Sequence, residues 1–243
     1  MNFQLVYKPY GEHVILVEWP AEIREDILTD LLRFKSDLMW LNIENITEVR
    51  TAYHSVLVVY SHFETGLKEE IERLKSIYSA KGNKTNLKAT LWRIPVCYDA
   101  SFGIDLEIIS KVNKLSVSDI IKMHSDAIYR VYFIGFLPGF LYLGGLNEKL
   151  SIGRKATPRL KIEKGAVAIG GHQTGVYPSA SPGGWHIIGN SPINFFNMES
   201  ETPCFASAGD QIKFYPISIK EHQDIKALVD ANVYQIESEV IDG

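Results

Sequence analysis

Two cysteines in 243 residues, Cys97 and Cys204, exclude a disulfide-stapled framework. They lie far apart in no metal-ligand spacing, so buried reduced thiols are expected. There is no basic excess: 25 Lys and Arg face 29 Asp and Glu, a net charge of −4. A nucleic-acid partner would call for a basic stripe, and none is present. No apolar run approaches the roughly 20 residues of a membrane helix, so no membrane association is expected. The opening MNFQLVYKPYGEH has neither a basic leader nor an apolar core of a signal peptide, which points to the cytoplasm. HExxH, CxxC and GxSxG patterns are missing, so no metal site and no nucleophile elbow is evident.

A further absence is local. From Gly165 to Met198 there is no Asp, Glu, Lys or Arg, although 22% of the chain is charged. What fills the region is glycine and proline: Phe133–Pro192 holds twelve of the 18 glycines and five of the 10 prolines. Glycine serves positive φ or close approach of another group, and proline fixes φ and removes a donor. Among them stand His172, Gln173, Thr174, Tyr177, Ser179, Ser181, Trp185 and His186. Such a surface suits recognition of a small polar molecule by neutral donors and backbone amides. It equally suits a tightly turned stretch of a β-barrel.

The first half reads as a small α/β domain, residues 1–86. Phe3–Tyr7 and His13–Trp19 have strand character, and Ile23, Ile27, Leu31, Phe34 and Leu38 recur at helical spacing. Ile46–Tyr53 and Val56–Tyr60 follow as strands, then a second helical stripe, Leu67, Ile71, Leu74 and Tyr78, and a strand at Ala89–Tyr98. From the second strand onward the order is βαββαβ, the split pattern of ferredoxin-like domains, with the strand Ala89–Tyr98 open to either side of the domain boundary. The polar run around Gly82–Lys88 is the expected hinge. His13, His54 and His62 share no motif with another ligand type and read as surface or strand-end histidines.

The second half, residues 87–230, reads as a β-rich domain of short strands divided by Gly/Pro turns, with residues 231–243 as a polar tail. Ser116 is placed to cap a helix through Ala127, and His124 reads as a packed helix histidine. In YRVYFIGFLPGFLYLGGL, glycines brace Phe136, Pro138, Phe140 and Tyr142. These form either the wall of a pocket or partner surface, or a core loop with its rings turned inward. Arg154, Lys155, Arg159, Lys161 and Lys164 cluster next. Such a run is ordinarily a solvated face, but Arg159, after Pro158, is placed to grip a carboxylate bidentately. GGHQTG lacks the lysine of a phosphate loop. Ser179, Ser181, His172 and His186 lack the local carboxylate of a triad, and no catalytic residue is assigned. The chain therefore offers half a site, to be completed by another polypeptide.

Four motifs in order carry a family likeness: FIGFLPGFLYLGGL, the ATPR of Ala156–Arg159, GAVAIGGHQTGVYP and SPGGWHIIGNSP. Together they resemble the B-subunit family of 5-oxoprolinases, also called KipI-like or allophanate-hydrolase-subunit-1-like, related to one half of the urea carboxylase carboxyltransferase domain. The resemblance implies an α+β protein, with an N-terminal ferredoxin-like domain followed by a C-terminal cyclophilin-like β-barrel. It implies a C-subunit homologue as partner, a site at the shared interface, and a separate A subunit. With these, relatives open 5-oxoproline to glutamate at the expense of ATP, which is not evident in this chain itself. Arg159 would then hold a carboxylate, and Gln173, Thr174 and Tyr177 would orient the lactam. His172 falls at a variable position. The resemblance leaves two alternatives: inhibition of a sensor histidine kinase, as by KipI, or carboxyl transfer with a separate biotin carrier.

Overall fold

The computed structural model describes residues 3–80 and 88–242, and the chain divides into two compact units at Lys88/Ala89. Most of the hinge expected at Gly82–Lys88 lies outside the described residues.

The first unit is a four-stranded antiparallel sheet carrying two helices. Its elements are β1 (Val6–Pro9), β2 (Val14–Glu18), α1 (Glu25–Trp40), β3 (Ile46–Thr51), β4 (Ser55–Tyr60) and α2 (Leu67–Ser79), with sheet order β1-β2-β4-β3. Alternation along β2 and β4 sends Ile15, Val17, Val56, Val58 and Tyr60 into one core with Ile27, Leu31, Phe34 and Leu38 of α1 and Leu74 and Tyr78 of α2. The helix begins at Glu25, so Ile23 falls outside it and is exposed. The anticipated βαββαβ sheet differs in one strand. β5 (Lys88–Cys97) pairs in the other unit's sheet, and β1 occupies the position beside β2. A hairpin neighbour needs only the short turn at Tyr10–His13, whereas β5 finds a longer run of partners in the barrel.

The second unit is a closed seven-stranded barrel. In chain order it contains α3 (Leu106–Asn113), α4 (Val117–Asp126), β6 (Tyr129–Ile134), β7 (Leu141–Gly144), β8 (Arg159–Ile162), β9 (Ala166–Gly170), β10 (Gln173–Val176), β11 (Ser181–Gly183), β12 (His186–Asn190), β13 (Gln211–Ile217), α5 (Ile219–Asp230) and β14 (Ser238–Asp242). The barrel runs β12-β9-β10-β7-β6-β13-β5 and closes where β12 meets β5 at Asn190 and Cys97. One parallel pairing, β13 with β5, holds seven residues in register from Gln211/Leu91 to Ile217/Cys97. Residues 231–243, expected as a tail, supply β14, which adds to β5.

Ile94, Val96, Tyr129, Val131, Leu141, Leu143, Val167, Ile169, Ile188, Ile212 and Phe214 fill the interior. Ser116 caps α4 by accepting from the Asp119 amide at 3.1 Å, and α4 delivers His124 into this core. His124 is fully buried and stacks on Phe214 at 4.8 Å. Thr174 Oγ1 donates to the Ala168 carbonyl, so His124 Nε2 donates to Thr174 Oγ1 at 2.8 Å. Nδ1 is then the acceptor for the Tyr98 hydroxyl at 2.7 Å. Burial lowers the His124 pKa to about 3, so the ring is neutral. Cys97 is buried, Cys204 is half-buried, and both are free thiols.

Candidate functional site

The uncharged stretch turns out to be a bed for aromatic rings. On β9, Val167 and Ile169 face the barrel interior, while Ala166 and Ala168 face the opposite side of the sheet. There they join a second cluster of Phe140, Ile162, Tyr177, Trp185 and Ile187, with Leu137 and Tyr142 at its margin. Phe140 is the hub: ring centroids of Tyr142, Tyr177 and Trp185 lie 5.0, 5.6 and 5.7 Å away. Offset and edge-on rings at this range attract beyond their area burial. Glycine makes the bed. A Cβ on Gly170 would stand 2.5 Å from the Trp185 ring, and one on Gly183 would stand 2.4 Å from the Tyr177 hydroxyl. Of the two readings that composition left open, barrel packing accounts for these glycines.

Beside this cluster lies a charged knot. Asp105, just ahead of α3, is fully buried. Arg159 at the start of β8 grips it with both terminal nitrogens, at 2.8 and 2.7 Å. The Ile187 amide of β12 donates to it at 2.7 Å, and Lys155 Nζ stands 3.5 Å away. Burial pushes the Asp105 carboxyl up, but the Arg159 and Ile187 hydrogen bonds and the nearby cations outweigh it and hold the carboxyl below its usual value. Asp105 stands where an N-cap residue would, yet makes no side-chain cap, because its oxygens are committed to Arg159 and Ile187. His186 Nε2 faces the Gly153 carbonyl at 3.1 Å and must carry the proton there. Nδ1 is buried with no hydrogen-bond partner among the described residues, and burial lowers the ring's pKa.

The residues singled out from sequence therefore separate. Thr174 is fully buried and serves the barrel interior, while Tyr177, Trp185 and Phe140 are buried in the aromatic cluster. The Tyr177 hydroxyl meets the Trp185 amide, and burial raises its pKa. Arg159 has its fork filled by Asp105, so its carboxylate-gripping face is occupied from within the chain. Ser181 Oγ bonds the Pro182 carbonyl at 3.2 Å. His172 is exposed in the turn between β9 and β10, Gln173 and Tyr142 are half-buried, and Phe136 and Pro138 are exposed on the β6–β7 turn. Asp210 is engaged by the Thr90 amide, Trp92 Nε1 and the Ser207 amide.

Two residues outside the sequence candidates complete the picture. Arg154 lies 5.9 Å over the Trp185 ring, is exposed, and makes no ion pair among the described residues. Lys155 is anchored through its backbone, its amide donating to the Gly184 carbonyl at 2.7 Å. Arg154, Lys155 and Arg159 thus bring three positive charges against one carboxylate, above an aromatic floor. This arrangement attracts a small anion, and of the rings around it Tyr142, half-buried, reaches the surface. The basic run marked Arg154 and Lys155 but not which cation would remain free. Asp105 carried only one signal, an acid directly before the apolar Leu106 and Ile109. Two open cavities, of about 610 Å³ beside β1 and α2 and about 410 Å³ beside α5, include none of these residues.

The fold and this cluster define an α+β protein whose barrel presents a cationic surface over a buried aromatic cluster. The carboxyltransferase domain, subdomain C and D, family profile matches residues 5–206. The chain belongs to that family, which it shares with 5-oxoprolinase B subunits. It is 40% identical over 171 residues to the 5-oxoprolinase B subunit of Haemophilus influenzae, covering 70% of this chain and 79% of that one. To the Bacillus subtilis protein of the same name it is 37% identical over 180 residues, covering 72% and 75%. Among solved structures, TTHA0988 superposes with a TM-score of 0.73 at 28% identity over 84% of this chain, which spans only 40% of TTHA0988.

Proposed function

We propose that the chain is the B subunit of an ATP-dependent 5-oxoprolinase, inactive alone and completed by C and A subunits in the cytoplasm. The observation that carries this reading is the similarity at 37–40% identity, over about three quarters of each chain, to proteins bearing that subunit name. The site supports it chemically. 5-Oxoproline is a flat lactam with one carboxylate, and the free guanidinium of Arg154, with Lys155 beside it, suits that carboxylate. The half-buried Tyr142 ring suits the lactam face, and Gln173 and His172 border the same strands with neutral donors. In this reading Arg159 is a positioning residue, tying Asp105 to β8 so that the Gly153–Pro158 loop stays in place. ATP belongs to the complex, and no step is assigned to it here. The first unit is read as a ferredoxin-like variant in which β1 replaces the last strand, and the second as cyclophilin-like.

The test is ATP hydrolysis dependent on 5-oxoproline, measured for the chain alone and with the A and C subunits of the same genome. Turnover only in the full set is expected; full turnover by the chain alone would refute the shared site. The family's carboxyltransferase description favours one competing reading, transfer of a carboxyl group from a separate biotin carrier. Carboxylation of urea by a carboxybiotin-loaded carrier, with no response to 5-oxoproline, would select it.

A further inference from the structure

The tip of the turn between β6 and β7 holds a side chain in an unusual setting. Phe136 sits at φ +62°, in the left-handed region that glycine or asparagine occupies readily and a bulky residue does not. It has no room to relax. The Gly135 amide bonds the Phe140 carbonyl at 3.1 Å, the Leu137 amide bonds the Gly135 carbonyl at 2.7 Å, and the Phe140 amide bonds the Leu137 carbonyl at 2.9 Å. Gly139 pins the other side, where an added Cβ would stand 2.7 Å from the Phe195 carbonyl. The ring gains little from its own chain: it meets Phe140 edge-on at 5.7 Å and is otherwise 66% exposed. A strained backbone that presents an aromatic ring to solvent is unfavourable twice within the isolated chain, and a contact from outside would offset both costs.

The position of the ring says what that contact is. Through Phe140 it leads directly to Tyr177, Trp185 and the Arg154 surface. A membrane would engage a broad apolar face flanked by cations, whereas a single ring on a locked turn suits one pocket on a folded protein. TTHA0988 carries the matched region within a chain of which it is only 40%, so in that relative further polypeptide is joined to this one. We propose that Phe136 is the anchor by which a second polypeptide docks beside the candidate site, its ring entering an apolar pocket of that partner. The partner is the C subunit of the functional reading above, and the inference rests on that reading.

Phe136→Asn tests it, because asparagine tolerates the left-handed backbone while the ring is lost. The thermal midpoint of the chain alone and its affinity for the C subunit of the same genome are measured together. The midpoint is expected to stay or rise, and affinity to fall about 30-fold, the size of an interface anchor. Phe136→Trp should recover most of that loss. Unchanged affinity in Phe136→Asn would overturn the proposal, as would a midpoint several degrees lower, which would make the ring structural. If the wild-type chain does not bind that C subunit, the functional reading fails first and this inference with it.

Discussion

Each unit of this chain contains a buried aspartate gripped by an arginine, and the two differ in what else they hold. In the first unit Asp30 of α1 accepts from Trp19 Nε1 at 2.8 Å, from the Tyr78 hydroxyl at 2.6 Å and from Arg33 at 2.9 Å. Its partners are core aromatics and a neighbour one turn along the same helix. It joins the end of β2, α1 and α2, and among the described residues its ion pair is with Arg33. Asp105 has the same chemistry but different company. Its arginine comes from β8, 54 residues away in sequence, and a second cation stands within 3.5 Å. One carboxylate there balances two positive charges and leaves a local excess directed at the surface. A buried acid that only stabilises is fully matched, whereas one that serves a site can be outnumbered.

Removing the acids in turn should break the comparison open. Asp105→Ala strands Arg159 beside a partly buried lysine, a loss of about 3–5 kcal/mol of unfolding free energy in urea titration. A loss below about 1 kcal/mol would show that the two cations reach solvent freely. The neutral His124 gives the second largest effect. A ring whose folded pKa is held near 3 contributes stability that is complete above the unfolded value of about 6.5 and declines as pH falls below it. Between about pH 6.5 and 4.5 the wild type should lose up to about 1.4 kcal/mol per pH unit from this group. His124→Leu should flatten that slope while lowering stability at about pH 7.5. Equal slopes would place the titration elsewhere. Asp30→Ala follows, at about 1–3 kcal/mol, because it leaves the Trp19 and Tyr78 donors unpaired.

The smallest stability effect should carry the largest functional one. Arg154→Ala touches an exposed side chain, so unfolding free energy should move by no more than about 0.5 kcal/mol. In the reconstituted complex the same change should raise the KM for 5-oxoproline about tenfold or more, as loss of a charge-assisted carboxylate contact does. An unchanged KM would remove Arg154 from the site and return the carboxylate to Lys155.

Much of the fold was legible because local patterns agreed with it. Ile27, Leu31, Phe34 and Leu38 at helical spacing gave α1, and Ser116 marked the start of α4. Short strands such as β7, β8 and β10 were hidden among turn residues, since four residues or fewer carry no usable period. The region of the site was visible as a gap in charge, but its internal division was not. Gln173 and Thr174 are adjacent and equally polar, and the two-residue period of a strand sends one to the surface and the other into the barrel. Arg154 and Arg159 are likewise alike in sequence, and only the approach of Asp105 distinguishes them.

Composition and periodicity by themselves determined that this is an α+β protein with a glycine-rich, uncharged stretch following a basic run. Tertiary structure alone decided that the glycines bed aromatic rings, that β5 closes a barrel, and that Arg159 is spent on Asp105 while Arg154 stays free. The physical reason is range. Propensity, capping and alternation act over a few residues, whereas an ion pair or a ring contact joins positions tens of residues apart, and which partners meet is settled only when the sheet closes.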